Sequence, residues 1–337
     1  MNRIPIKLFV LDFNWVRDAE RSMRPSTPQE LAGEDPAEFA RWHMDIGCNA
    51  LFHHAYTFNG CAWYPSRLGP CAPEPGSRFL GKVLDIAHRA GLPFHTYFCV
   101  GQDRFTCANR LDWVVPGSSG FGPGMLAPES GWTDLLCRRV EEALGMYPID
   151  AVLFDWFVYG DLRPDFGVRP APFVEKPFRE IIGRAMPEKA EDITAQESLR
   201  YKREVLARQF RRLRDAVKGA RPQCAVYFNV PYHEAAEPLW VDHPMLRESD
   251  WLFAECSRTD VVDWLLRVRR PEQRIIVTFS GRLDEGQCDV RSWRALYEKG
   301  CDFFGYCFPN PPGMLPGPWY DEELRLVREA FHALPHR

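Results

Sequence analysis

The stretch Ala151–Phe157, AVLFDWF, decides the fold. Four apolar residues in succession end on Asp155, and two aromatic residues follow. A strand with one face in water would alternate apolar and polar residues. This run is apolar on both sides, as a strand covered on both faces must be. Seven further runs share its character: Lys7–Phe13 (KLFVLDF), Cys48–His54 (CNALFHH), Leu92–Cys99 (LPFHTYFC), Ala225–Asn229 (AVYFN), Trp251–Cys256 (WLFAEC), Arg274–Ser280 (RIIVTFS) and Cys301–Cys307 (CDFFGYC). Their starts run from residue 7 to residue 301, about 42 residues apart on average, which is room for a strand, a loop, a helix and a return loop.

The intervals carry helical patterns. Pro36–Ile46 opens with Pro after Asp35, a cap and first-turn pair, and stops at Gly47. Arg78–Ala90, Thr133–Leu144, Glu197–Lys218 and Val290–Lys299 also run into a glycine, while Thr259–Arg269 stops before Pro271 and Asp321–Leu334 closes the pattern. The interval from Pro231 to Asp250 has only a weak helix signal. Eight strands alternating with helices predict a (β/α)8 barrel of the α/β class, a single domain over residues 1–337 with a Pro-rich insertion around 160–193. A doubly wound open sheet would show a glycine-rich phosphate turn after the first strand. Asp12-Phe13-Asn14-Trp15 stands there instead.

The 42 Lys+Arg against 46 Asp+Glu leave a net charge of −4, which argues against a nucleic-acid or anionic-membrane partner. The long helix Glu197–Lys218 is basic on one side and reads as a solvated outer helix. No apolar run approaches the ~20 residues of a membrane span. The N-terminus lacks a signal-peptide pattern, and the 11 cysteines form no CxxC pair, so the expected setting is reducing and cytoplasmic. The 23 Phe, 11 Trp and 11 Tyr fit either a large core or a cleft lined with flat rings.

Barrel enzymes build their sites at the C-terminal strand ends. There the sequence places Asp12, Asn14 and Trp15; His53, His54 and Tyr56, followed by Trp63; His95 and Tyr97; Asp155, Trp156 and Tyr159; Asn229, Tyr232 and His233; Glu255; Ser280 and Arg282; Tyr306 and Asn310. Asp155 and Glu255 each end an apolar run and meet partial desolvation, a setting in which carboxylates are paired or working. Two such carboxylates suit a glycosidase, one attacking the anomeric carbon and one protonating the leaving oxygen. Asp12, Trp15, His53, His54, Trp63, Tyr97, Trp156, Asn229, Arg282 and Tyr306 are the substrate-binding candidates. Trp15, Trp63, Trp156 and Tyr97 would be stacking platforms or barrel-cap packing. Adjacent strand residues face opposite ways, so one of His53 and His54 reaches sugar hydroxyls and the other fills the core.

Tyr147–Asp155 (YPIDAVLFD, followed by Trp156-Phe157) resembles the fourth-strand "DG-x-x-F-D" segment of α-L-fucosidase-like barrels and related glycosyl hydrolase families. The approach from Trp63 to Asp103, with its Tyr-Pro-Ser turn, helix and aromatic strand, and the later Pro177–Pro187 (PFREIIGRAMP) are similar to the same group. The likeness runs from about Phe39 to Gly305 and departs at Asp150-Ala151, where relatives often have Asp-Gly. It implies a retaining glycoside hydrolase with Asp155 as nucleophile; the acid/base of that group varies in position, and Glu255 is the candidate here. A carbohydrate substrate is then the expected partner, with no cofactor and no metal. Two other readings stay open: a non-catalytic carbohydrate-binding barrel, and a metal-dependent hydrolase using Asp12, His53, His95 and Asp155. Self-association into a homo-oligomer is also left open.

Overall fold

The computed structural model describes residues 3–17, 22–120, 122–160, 166–230, 237–281 and 288–335. Eight parallel strands carry the architecture: β1 (Lys7–Leu11), β2 (Leu51–Tyr56), β3 (Phe94–Cys99), β4 (Ala151–Asp155), β5 (Ala225–Asn229), β6 (Trp251–Ala254), β7 (Arg274–Ser280) and β8 (Asp302–Cys307). Neighbours pair in the order β1-β8-β7-β6-β5-β4-β3-β2. Asn49 closes the remaining gap. Its backbone N–H donates to the Lys7 carbonyl at 3.1 Å, and its side-chain Oδ1 accepts the Lys7 N–H at 2.8 Å. The chain is a (β/α)8 barrel.

The second strand begins at Leu51, three residues later than the apolar run suggests. Asn49 is occupied in the closure, so ladder pairing starts beyond it. Residues 231–236 and the predicted site residues Tyr232 and His233 lie outside the described residues, as does Arg282. The rest of that interval holds two short helices, Glu237–Trp240 and Pro244–Glu248. A two-stranded ribbon, Trp15–Arg17 with Met23–Pro25, follows β1 and has no counterpart in the sequence reading.

Side chains alternate across the barrel wall, as the strand period requires. Inward rings form one layer: Phe52 and Phe253 each pack on Phe304, Tyr227 packs on Phe253, and His95 packs on Tyr227. Outward rings meet the helices, as Phe9 does with Trp42, Phe228 with Phe210 and Phe279 with Phe331. Gly305 is required here, because a Cβ at that position would stand 2.6 Å from the Phe9 ring.

The predicted helices are present, with ends moved by one or two residues in most cases. Asp35 caps Pro36–Asp45 by accepting the Ala37 N–H at 2.9 Å. Thr194 and Glu197 form a reciprocal capping box at the start of the long helix Ala195–Ala220. The chain between β4 and the long helix carries its own helix, Pro172–Ile182, which packs on that long helix. A second apolar cluster forms beneath it from Val115, Tyr159, Phe166, Phe178, Tyr201 and Val205. All eleven cysteines, each among the described residues, are free thiols. No described helix is long and apolar enough to cross a membrane.

Candidate active site

Six successive strand ends place six polar side chains in one continuous arc. Asp12, just past β1, accepts the Asn14 N–H on Oδ1 at 2.9 Å, and the same oxygen lies 3.1 Å from Nε2 of His54 on β2. The His54 ring packs on the ring of Tyr97 of β3, with centroids 4.8 Å apart. Tyr97 donates its hydroxyl to Asp155 Oδ2 at 3.2 Å. Asp155, at the end of β4, accepts the Trp156 backbone N–H on Oδ1 at 2.8 Å. Asn229 at the end of β5 then spans two carboxylates. Its Nδ2 donates to Asp155 Oδ1 at 3.0 Å and to Glu255 Oε2, just past β6, at 3.1 Å. Acceptors taking one N–H each of an amide nitrogen, in ideal geometry, would stand about 5 Å apart.

The electrostatics follow from burial. Desolvation pushes the Asp155 carboxyl up, the hydrogen bonds from Asn229, the Trp156 N–H and Tyr97 pull it back, and the charge of Asp12 pushes it up again. The Tyr97 hydroxyl is pushed well above its ordinary value by burial, with Cys99 and Asp155 adding to it, so it stays a donor. An ionised carboxylate with three donors, beside a second carboxylate and in a partly water-excluded setting, is suited to attack or to charge stabilisation.

The remaining candidates divide by which face of the wall they occupy. Trp156 is half-buried and follows Asp155 directly. Trp15 packs on Phe58 at 4.9 Å, and Phe58 is itself tied to Asn14 through a 2.7 Å hydrogen bond. Tyr306, next to last in β8 and on the inward face, packs against Phe308 at 5.7 Å. His53 and Trp63 are not in the arc. The His53 ring is enclosed by Phe13 at 4.7 Å, Phe79 at 4.7 Å, Phe39 at 5.5 Å and Trp63 at 5.6 Å, between barrel and helices. Burial holds its pKa well below the usual value, so it is a neutral core residue. The period of two explains this, since His54 takes the inward face and His53 must take the outward one. His95 faces inward one layer lower, bonded to the Tyr227 hydroxyl at 3.1 Å, and burial holds it down at about 3. Asp12, His53 and His95 therefore do not converge.

Two residues of the site lie outside the sequence reading. Cys99 pairs in register with Asp155 and shares its neighbourhood with Tyr97. The two-residue step from Tyr97 was the available signal. Gly101 touches the backbone of Trp156, a contact between two loops that no local pattern reports. A separate cavity of about 580 Å3 between outer helices, lined by Glu180, Arg200, Arg203, Glu204, Arg208 and Asp242 among others, shares no residue with the arc.

No family model and no curated protein matches the sequence. Solved structures do match. The chain superposes on alpha-L-fucosidase isoenzyme 2 from Paenibacillus thiaminolyticus with a TM-score of 0.71 at 16% identity, over 98% of this chain and 49% of that one. The fold is an α-L-fucosidase-like (β/α)8 barrel. The chain thus spans about half the length of that neighbour. A second neighbour, alpha-L-fucosidase AlfC from Lactobacillus casei in complex with its alpha-L-fucose product, aligns with a TM-score of 0.52 at 11% identity, over 97% of this chain and 94% of that one.

Proposed function

We propose that this α-L-fucosidase-like barrel is a retaining glycoside hydrolase, with Asp155 as nucleophile and Glu255 as acid/base. The observation that carries the reading is the single Asn229 nitrogen bonded to both carboxylates at 3.0 and 3.1 Å. Retaining enzymes keep their two carboxyl groups about 5–5.5 Å apart, whereas inverting ones need about 6.5–9.5 Å to admit a water. One amide donor shared by both carboxylates supports the closer arrangement.

In the first half-reaction, Asp155 Oδ2 attacks the anomeric carbon as the glycosidic C–O bond breaks. Glu255 gives its proton to the departing oxygen. In the second, Glu255 takes a proton from water, the hydroxide attacks the anomeric carbon, and the Asp155–sugar bond breaks. In this reading Asp12 and His54 hydrogen-bond sugar hydroxyls, and Trp15, Trp156 and Tyr306 cover the ring. The likeness to α-L-fucosidases makes an α-L-fucoside the first substrate to try.

The test is a panel of aryl glycosides, α-L-fucoside first, on wild type and Asp155→Ala, with the anomer of the first-formed product read by NMR. Retention in the wild type and loss of turnover in the variant are expected. In Glu255→Gln, glycosides with poor leaving groups should lose far more rate than activated aryl ones, because only they need the proton. Full turnover by Asp155→Ala, or an inverted product, would overturn the assignment.

A further inference from the structure

We propose that Gly101 is a positioning residue for the Asp155 carboxylate, acting through the backbone of Trp156. The inference rests on Asp155 as nucleophile and adds a device that sets which of its oxygens attacks.

Trp156 has φ 62°, in the left-handed region that bulky L residues seldom occupy. Such a conformation persists only where the surroundings impose it, and it clusters at working sites. Here its effect is specific. The peptide joining Asp155 and Trp156 is held at both ends: its carbonyl accepts the Val100 N–H at 2.8 Å, and its N–H turns back to Asp155 Oδ1 at 2.8 Å. The next carbonyl, that of Trp156, accepts the Val158 N–H at 2.8 Å and lies over Gly101. A Cβ on residue 101 would stand 2.4 Å from that oxygen and 2.7 Å from Met125 Cε. The oxygen is backbone and cannot swing aside as a side chain would. Gly101 cannot retreat easily either, because its own carbonyl accepts the Leu126 N–H at 2.9 Å. Any side chain at 101 must therefore displace the Trp156 carbonyl and strain the turn whose preceding peptide carries the Trp156 N–H.

Among the described residues, Oδ1 of Asp155 is thus pinned by two donors, Trp156 N–H and Asn229 Nδ2, while Oδ2 accepts one, the Tyr97 hydroxyl. Oδ2, held by one donor against two, is the oxygen assigned to attack. Among the described residues, the titratable groups around this carboxylate are Tyr97 and Cys99 from β3, Asp12 after β1, which bonds His54 of β2, and Glu255 after β6. None of them is itself replaced in Gly101→Ala, so a shift in the Asp155 titration is read against an unchanged set of groups.

The experiment follows the Asp155 carboxyl by 13C NMR in the full-length protein labelled at aspartate carboxyls, assigned against Asp155→Asn. In Gly101→Ala its titration midpoint should rise by about one pH unit, and the acid limb of kcat/KM should move with it, because one donor to the ionised form is gone. Trp156→Val, β-branched and averse to positive φ, should shift the midpoint similarly, and Trp156→Gly should leave it in place. That pair decides the matter if Gly101→Ala does not fold. A Gly101→Ala protein with lowered Tm and an unmoved midpoint, or equal shifts in Trp156→Val and Trp156→Gly, would overturn the proposal. Turnover surviving in Asp155→Ala would sink the nucleophile instead, while the titration would still judge the clamp.

Discussion

Tyr97 donates its hydroxyl to Asp155 Oδ2 across 3.2 Å, joining the ends of two adjacent barrel strands. The hydroxyl is buried and stays protonated, so it stabilises the carboxylate without competing for its charge. In Tyr97→Phe the ring and its packing on His54 persist while the donor is lost. A hydrogen bond to a charged group is worth about 1.5–3 kcal/mol, so kcat/KM should fall roughly 10- to 150-fold. The acid limb of the pH profile should also move up, since the ionised form of Asp155 has lost a donor. A variant with wild-type kinetics would remove Tyr97 from the site.

His53 and His54 are neighbours in sequence with opposite surroundings. His53→Phe places a ring within a cage of rings and gives up one 2.9 Å contact to the His54 carbonyl. It should cost about 0.5–1.5 kcal/mol of stability and leave kcat/KM within about threefold. His54→Phe loses the 3.1 Å contact to Asp12 and should lower kcat/KM at least tenfold, because that contact holds a wall of the site. Parallel kinetics and thermal melts on the two variants check the contrast, and equal kinetic losses would contradict it.

Glu129 sits beneath the insertion, where its carboxylate accepts the Tyr201 hydroxyl. Burial raises its pKa from 4.5 to about 7, with the Tyr201 hydrogen bond acting the other way. The folded protein therefore holds this proton more tightly than the unfolded chain does. Stability conferred by the neutral form is complete below about pH 4.5 and is lost as pH rises through about 7. The loss attributable to this one group is about 1–3 kcal/mol. Glu129→Gln carries no such charge, so its Tm should gain on the wild type between pH 5 and pH 8. Melting curves that stay parallel over that range would contradict the prediction.

Asp103 and Arg139 form a buried ion pair, with Nη1 2.6 Å from Oδ2 and side-chain exposures of 3% and 1%. Asp103 also caps the helix Arg104–Asn109 through the Thr106 N–H, and the Arg139 guanidinium lies 4.2 Å over the Tyr56 ring. Arg139→Met leaves a buried carboxylate without its cation and should cost about 3–5 kcal/mol. The double replacement Asp103→Asn with Arg139→Met should cost less than the sum of the two singles. Urea denaturation of the four proteins closes the cycle.

Strand number, strand order along the chain, most helix ends and the positions of Asp155 and Glu255 were legible in the sequence alone. Each depends on local chemistry: apolar runs of fixed length, glycines at helix ends, and carboxylates directly after them. The pairing of Asp155 with Glu255 through Asn229 was not legible, because 74 and 26 residues separate these positions and only strand register brings them together. The facing of His53 and His54 was half legible. Alternation dictates that they diverge, but only the fold says which one turns toward the axis. The left-handed backbone at Trp156 had no signal at all, since nothing in a tryptophan asks for that conformation. It goes with two loops meeting at Gly101, a contact between segments far apart in the chain that only the fold brings together.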